Sequence, residues 1–430
     1  MSASSTFTYL AQKRFAPYFW TQFLGALNDN IFKNALNIFI AIQPLNVLPL
    51  DSDILINICL GIFIIPFFLF SAMAGQIADK WDKAYLTRNI KMFEIMIMSV
   101  AVMGFLSQSF ILLIVLLFFM GLQSTLFGPI KYSYLPQHLD DNELVAGTGL
   151  VGMGTFLAIL LGTLIGGSLV SIETTGILWL CGAVITVAIA GYGCSLLMPK
   201  TPSGSPELKL NFNIVRETWQ IIGGAFQHKI VFFAMQGVSW FWFFGAVFLT
   251  QIPNYVLKVL GADSTIVTLF LSVFSLGIGV GSILCNKLSP GKISLRTVMI
   301  GAIGLTLFTI DLYFATPTVA SPVKQTISIF IENSANLHLL FDFLMISLCG
   351  GLYIVPLMTL VQQQSPLQIR SRMIAANNIF NALYMVLASI VSIVALKSDF
   401  SIVELLLMVG LLNIPVVLFW GHKLKREVAA

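Results

Sequence analysis

Long apolar runs recur along this chain, broken by short polar turns. Twelve of them approach the roughly 20 apolar residues that a helix needs to cross a hydrocarbon layer. They are 18–43, 54–78, 89–106, 109–129, 144–171, 176–198, 230–256, 264–286, 297–316, 337–360, 374–396 and 401–420. Barrel strands would alternate apolar and polar positions over about ten residues, and these runs do not. Lipid offers no partner to a free backbone N–H or C=O, so each run is predicted to be a helix. The expected fold class is an all-α membrane protein of twelve transmembrane helices in two six-helix halves.

The longest polar break, 199–229, opens with Pro199, Pro202, Ser203, Gly204, Ser205 and Pro206, a linker composition. Phe212, Val215, Trp219, Ile222 and Phe226 then recur at steps of 3, 4, 3 and 4, which places one apolar stripe on a helix over 211–228. Such a helix either lies on the membrane surface or packs on the protein's own helix ends. The chain therefore divides into a six-helix bundle over 1–198, a linker over 199–229 and a second bundle over 230–430. A weak internal repeat agrees: Pro129 and Pro356, and Gln137 and Gln364, are each separated by 227 residues. Parallel repeats of this size mark transporters.

Composition supports a lipid environment. The 430 residues are 57% hydrophobic and 10% charged, against about 25% charged in soluble domains. Residues 1–17 are polar and no small-residue cleavage site follows the first apolar run, so that run is expected to remain as an anchor. The basic residues settle an expected orientation. Nineteen of the 23 Lys and Arg fall in one set of alternate loops, from Lys13 and Arg14 to Lys423, Lys425 and Arg426. The opposite loops carry Lys258, Lys324 and Lys397, and Lys33 lies within the first helix. Basic loops stay in the cytoplasm, which places both termini there. The five cysteines sit in apolar runs without a CxxC pair, and the four histidines form no HExxH pattern. No disulfide, metal site or cofactor is expected, and no nucleic-acid partner.

Gly75–Ala84 reads GQIADKWDKA, at the end of the second helix. It resembles the signature of the major facilitator superfamily, with Asp82 where that family usually has Gly. Gly75 lets two helices approach. Asp79 can face the positive N-terminus of a neighbouring helix, and Lys80, Lys83 and Arg88 hold the turn in the cytoplasm. By this resemblance Gly75, Asp79, Lys80 and Lys83 form a gate, with Asp79 meeting Arg370 and Arg372 at the start of helix eleven. Gly162-xxx-Gly166 and Gly277-xxx-Gly281 permit close helix packing, and in the superfamily helices five and eight meet. Gly147, Gly149 and Gly152 spell GxGxxG, but they open an apolar run instead of following a strand, so no dinucleotide site is expected.

Polar side chains within membrane helices are costly and mark function. The first helix carries Gln22, Asn28, Asp29, Asn30, Lys33, Asn34 and Asn37. Its stripe faces a cavity, or else Asp29 and Lys33 neutralise each other at i, i+4. Further candidates are Glu94, Lys131 and Asp342; Asp311 and His338 lie near helix ends, where solvent reaches them. Trp240 to Phe244 in helix seven line a cavity or face lipid.

QFLGALNDN (22–30), AGQIADKWDKA (74–84), FGPIKYSYLPQHL (127–139) and the apolar run 144–167 resemble the bacterial lysophospholipid transporter family. The resemblance is fuller in the N-terminal half. It implies a major facilitator fold that flips lysophospholipids, chiefly lysophosphatidylethanolamine, to the cytoplasmic leaflet of the inner membrane, where an acyltransferase partner re-acylates them. Substrate would meet Asp29, Asn30, Lys33, Asn34, Lys131 and Glu94. The chain has no HxxxxD pattern, so it is expected to be a transporter and not an enzyme. A proton-coupled exporter of drugs or another amphiphile is the alternative on the same fold. A membrane scaffold or receptor is less compatible with the polar first helix.

Overall fold

The computed structural model describes residues 6–42, 52–319 and 325–429, so Lys324 and position 43 lie outside the described residues. Among the described residues twelve long helices follow one another, numbered in chain order: α1 (Ala16–Ile42), α2 (Ser52–Lys80), α3 (Lys83–Leu106), α4 (Phe110–Ser133), α5 (Leu144–Val170), α6 (Gly176–Leu196), α7 (Lys229–Asn254), α8 (Ser264–Leu288), α9 (Leu295–Ala315), α10 (Ser334–Gln364), α11 (Arg370–Lys397) and α12 (Ile402–Ala429). A linker helix, Ile214–Gln227, stands between α6 and α7. No strand forms among the described residues, only an isolated bridge between Ala262 and Gln325.

Eleven of the twelve are long and apolar enough to cross a membrane. The exception, α1, has the length at 27 residues but carries the polar stripe. Helices extend past the apolar runs where local chemistry allows. Asp82 accepts a hydrogen bond from Tyr85 N (2.8 Å) and so caps α3 at Lys83, six residues before the run begins. At the other end of the chain, α12 continues through HKLKREVA, rich in good helix formers.

The residues form two compact units. The first comprises 1–140, 157–225 and 365–379, and the second 141–156, 226–364 and 380–430. Helices α5 and α11 are thus each divided between units. In the first unit α2 packs on α4, α3 on α4, and α6 on both α1 and α3. In the second, α8 packs on α10, α9 on α10, and α12 on both α7 and α9. The pairs correspond at an offset of six helices, the packing counterpart of the weak sequence repeat.

Glycine sets how closely these pairs approach. Gly121 of α4 lies against the Phe63 carbonyl and Pro66 of α2. Gly162 and Gly166 lie against Leu27 and Ile31 of α1, and Gly277 and Gly281 against Leu344 and Leu348 of α10. The two small-residue motifs therefore pack α5 on α1 and α8 on α10, and do not pair with each other. Helices α5 and α8 do meet in the second unit, but at Gly149 and Ser282.

Gly121→Ala is expected to destabilise the protein by about 1–3 kcal/mol, because the added methyl meets backbone that cannot turn aside. Gly182→Ala, where a methyl would meet nothing within 4 Å, is the control and should be neutral or slightly stabilising. Melting of both variants in detergent checks this; equal melting temperatures would contradict the packing described.

Candidate functional site

The polar face of α1 meets α4 within the first unit. Asp29 is half-buried and accepts a hydrogen bond from Ser124 Oγ of α4 at 2.6 Å. Lys33 is half-buried with Nζ 4.3 Å from the centre of the Phe63 ring. The two side chains therefore take partners on other helices, and no close Asp29–Lys33 ion pair forms among the described residues. Lys131, about two turns on from Ser124 along the same face of α4, is half-buried and near enough to Asp29 to interact electrostatically. Asn30 and Asn34 spend their amide nitrogens on backbone, Ala26 O (2.7 Å) and Thr163 O (2.6 Å). One carboxylate and two ammonium groups are thus grouped on partly exposed faces of α1 and α4.

Glu94 is placed differently from the sequence expectation. It is buried, and its carboxylate pairs with Lys91 Nζ (2.6 Å) while accepting from Asn28 Nδ2 (3.0 Å) and Gln123 Nε2 (3.0 Å). These partners lie on α3, α1 and α4, so Glu94 serves the packing of the three helices. Lys91, counted among the loop cations by sequence, is also buried, between Gly25 and Gly191. A lysine chain can fit there because neither neighbour carries a side chain.

The α2–α3 turn builds a second polar centre in the same unit. Asp79 is buried and accepts hydrogen bonds from Ser371 N (2.8 Å), Arg372 N (3.2 Å) and Arg372 Nε (3.0 Å). Its carboxylate sits on the N-terminus of α11, where two orphan N–H groups and the helix dipole favour a negative charge. Gly75 makes room: a Cβ there would lie 2.8 Å from Ala375 Cβ and 2.9 Å from Arg372 Cα. Arg370 turns away, with Nε donating to Ser365 O (3.2 Å). Lys80 lies near the Trp81 ring, and Lys83 is buried with its backbone N–H on Thr201 O (3.2 Å).

The linker is tied down over this turn. Thr201 N donates to Asp82 (2.7 Å), Ser205 N to Asp79 O (2.9 Å), and Ser205 Oγ to Gln368 O (2.8 Å). Asp82, the departure from the superfamily pattern, thus caps α3 and anchors the linker at once. The FGPIKYSYLPQHL segment supplies a stacked column: Tyr18 on Tyr134 (4.4 Å) and Tyr134 on His138 (4.1 Å). Tyr18 also donates its hydroxyl hydrogen to Lys131 O. Burial, the largest cause, together with Lys83 and Arg14, pushes the His138 imidazole down to about 4 against the pull of Asp82. It is neutral at pH 7, beside Thr201 Oγ1 at 2.7 Å.

Sequence reasoning missed Ser124, Gln123, Thr201 and Ser371, because a single hydroxyl or amide in a helix or loop gives no periodic signal. Trp240, Phe241, Phe243 and Phe244 of α7 are buried, which overturns the lipid-facing alternative. Trp240 donates to Asn413 Oδ1 (2.8 Å), inside a network with Thr306.

The sequence profile of the Major Facilitator Superfamily matches residues 18–389. The chain is 24% identical over 353 residues to the lysophospholipid transporter LplT of Cronobacter sakazakii, across 80% of this chain and 78% of that protein. It is 23% identical over 348 residues to the protein of the same name from Escherichia coli O157:H7, at the same coverage. Among solved structures, it is similar to the human organic anion transporter MFSD10 with a TM-score of 0.71, at 12% identity and 94% and 99% coverage of the two chains. The transporter FucP in its outward conformation gives 0.68, at 12% identity and 95% and 98% coverage.

The Lys91–Glu94 pair predicts a strong non-additivity. Lys91→Met leaves a buried carboxylate unpaired, and Glu94→Gln a buried ammonium; each is expected to cost about 3–5 kcal/mol. The double variant should recover much of that loss. Melting temperatures of the three variants measure it, and additive losses would contradict the pairing.

Proposed function

The chain belongs to the Major Facilitator Superfamily and is a multi-pass membrane transporter, and on that premise we propose that it moves lysophospholipids across a bacterial inner membrane. The observation that carries the reading is the grouping of Asp29 with Lys131 and Lys33 on partly exposed faces of α1 and α4. A lysophosphatidylethanolamine head group is a zwitterion. Its ammonium would pair with Asp29 and its phosphate with Lys131, each through a charge-assisted hydrogen bond. Asn34 ties α1 to α5 beside them, Asn30 bonds back to Ala26 O of its own helix, and Glu94 fixes α3 behind them. The names of the lysophospholipid-transporting relatives support the substrate class.

The orientation follows the basic loops: both termini, the α2–α3 turn and the linker lie in the cytoplasm. Flipping then runs from the outer to the cytoplasmic leaflet, toward an acyltransferase partner. The bundles 1–198 and 230–430 act as the two transport repeats, exchanging access by rearrangement. The linker helix rests on the membrane surface. Its Val215, Trp219 and Phe226 are exposed, while Glu217, Ile221 and Ala225 on the other side are buried against the protein. That distribution favours lipid over the protein's own helix ends as the partner of the apolar stripe.

Uptake of labelled lysophosphatidylethanolamine into spheroplasts, with and without this chain, tests the proposal. Asp29→Asn and Lys131→Ala are expected to lower uptake at least about tenfold, the scale of one lost charge-assisted bond, with melting temperatures nearly unchanged. Normal uptake by Asp29→Asn would end the head-group reading. A proton-coupled exporter on the same carboxylate would instead drive an amphiphile outward along a pH gradient without taking up lysophospholipid.

The Asp79 contact with α11 is the proposed latch of the cytoplasmic side. Asp79→Asn removes the charge from both the α11 N-terminus and Arg372, and should shift the population toward a cytoplasm-open form. On a background with the five native cysteines replaced, labelling of Phe127→Cys by an impermeant maleimide from the cytoplasmic side should rise severalfold. Unchanged labelling would refute the latch.

A further inference from the structure

Helices α9 and α10 bring together three side chains for which the transport reading has no use. Asp311 lies in the last turns of α9. His338 and Asp342 lie in the first turns of α10, spaced i, i+4 and hence on one helical face. His338 Nε2 is 3.0 Å from Asp311 Oδ2 and 3.8 Å from Asp342 Oδ2. One donor atom from each of the three residues falls within 4.8 Å of the others. All three belong to the second compact unit.

The burial of the three is unequal. The side chains of Asp311 and His338 are each 47% exposed, and that of Asp342 is 0% exposed. Neither carboxylate oxygen of Asp342 takes part in a hydrogen bond. A buried carboxylate in that condition is costly, because nothing replaces the water it lost. His338 does not supply the missing bond, since its Nε2 is engaged by Asp311 and stands too far from Asp342 to donate. The two aspartates also repel each other across the cluster. A cation seated between them would offset both terms at once, and the half-exposed rim gives it a path from solvent.

We propose that Asp311, His338 and Asp342 form a binding site for a divalent transition-metal cation. One imidazole and two carboxylates make a mixed nitrogen and oxygen donor set, which suits Zn²⁺, Mn²⁺, Co²⁺ or Fe²⁺. Donor atoms around such an ion stand roughly 3–4 Å apart when each bond is about 2.0–2.2 Å, close to the spacings described. The neutral imidazole binds through Nε2, which requires its present contact with Asp311 to be replaced by a shared ion. Among the described residues the cluster offers three protein ligands, so water completes the coordination on the exposed side. The site lies at the ends of α9 and α10 remote from Arg296 and Arg370, on the face opposite the basic loops. It pins α9 to α10 there.

The test uses the full-length protein, purified in detergent through a tag without histidine and stripped with a chelator. Equilibrium dialysis against Zn²⁺, and separately Mn²⁺, is expected to give one saturable equivalent per chain for at least one of the two ions. Asp342→Asn, nearly isosteric, should weaken binding at least about tenfold, as should His338→Gln. The half-exposed His338 keeps the test valid if the buried variant does not fold. The bound ion should raise the melting temperature of the parent protein and leave that of His338→Gln unmoved. Absence of a saturable equivalent for both ions overturns the proposal, and so does equal binding by parent and His338→Gln. A parent protein that binds neither ion but melts higher as Asp342→Asn would show Asp342 to be a protonated acid, which also overturns it.

Discussion

Lipid cannot solvate a charge, so an ionised group carried into these helices is costly unless the protein supplies its counterpart. Glu94 finds Lys91, Asn28 and Gln123, and Asp79 finds two backbone N–H groups and Arg372; the neutral indole N–H of Trp240 likewise finds Asn413. Each of these groups joins helices that are separate in sequence, because a residue's own helix has already spent its backbone donors. Polar contacts of this kind fix which face of one helix meets which face of another. Leu and Ile alone would allow many faces, since lipid competes with them on equal terms.

Close approach is the companion requirement. A hydrogen bond of 3 Å between helices demands that their backbones come near, and small residues permit it. The Lys91–Glu94 pair of α3 fits against α1 and α6 at Gly25 and Gly191, and Asp79 reaches α11 beside Gly75. The same logic accounts for the corresponding packing of the two sets of six helices. Gly121 admits the backbone of α2 and Gly281 the backbone of α10, at pairings that match across the sequence repeat.

Against this background the partly exposed charges stand out. Asp29 and Lys33 are half-buried, each with a partner on another helix, Ser124 of α4 and Phe63 of α2. The proposed substrate site relies on that intermediate condition. Groups fully satisfied by the protein bind nothing further, while fully hydrated ones give up little on meeting a substrate. The Asp82 carboxylate shows a different economy, serving the start of α3 and the linker together.

The helix count, the membrane setting and the close contact at the end of α2 were legible in the sequence, because apolar length and the Gly75–Asp79 spacing are local properties that survive any packing. Asp79 was assigned to the start of α11 from its motif, and the contact is made. The roles of individual charges were not legible. Lys91 and Lys131 lie at the ends of apolar runs and read alike as loop cations, yet one is buried in an ion pair and the other is half-buried on α4. Glu94 and Asp29 likewise read alike as intramembrane acids. What separates them is which helix lies opposite, and that is decided by packing between segments tens of residues apart. The same holds for Asp311 and His338, which are 27 residues apart in sequence and 3.0 Å apart in the fold. Hydrophobic periodicity reports how a helix divides itself between lipid and protein; only the tertiary structure supplies the partner that gives each buried charge its meaning.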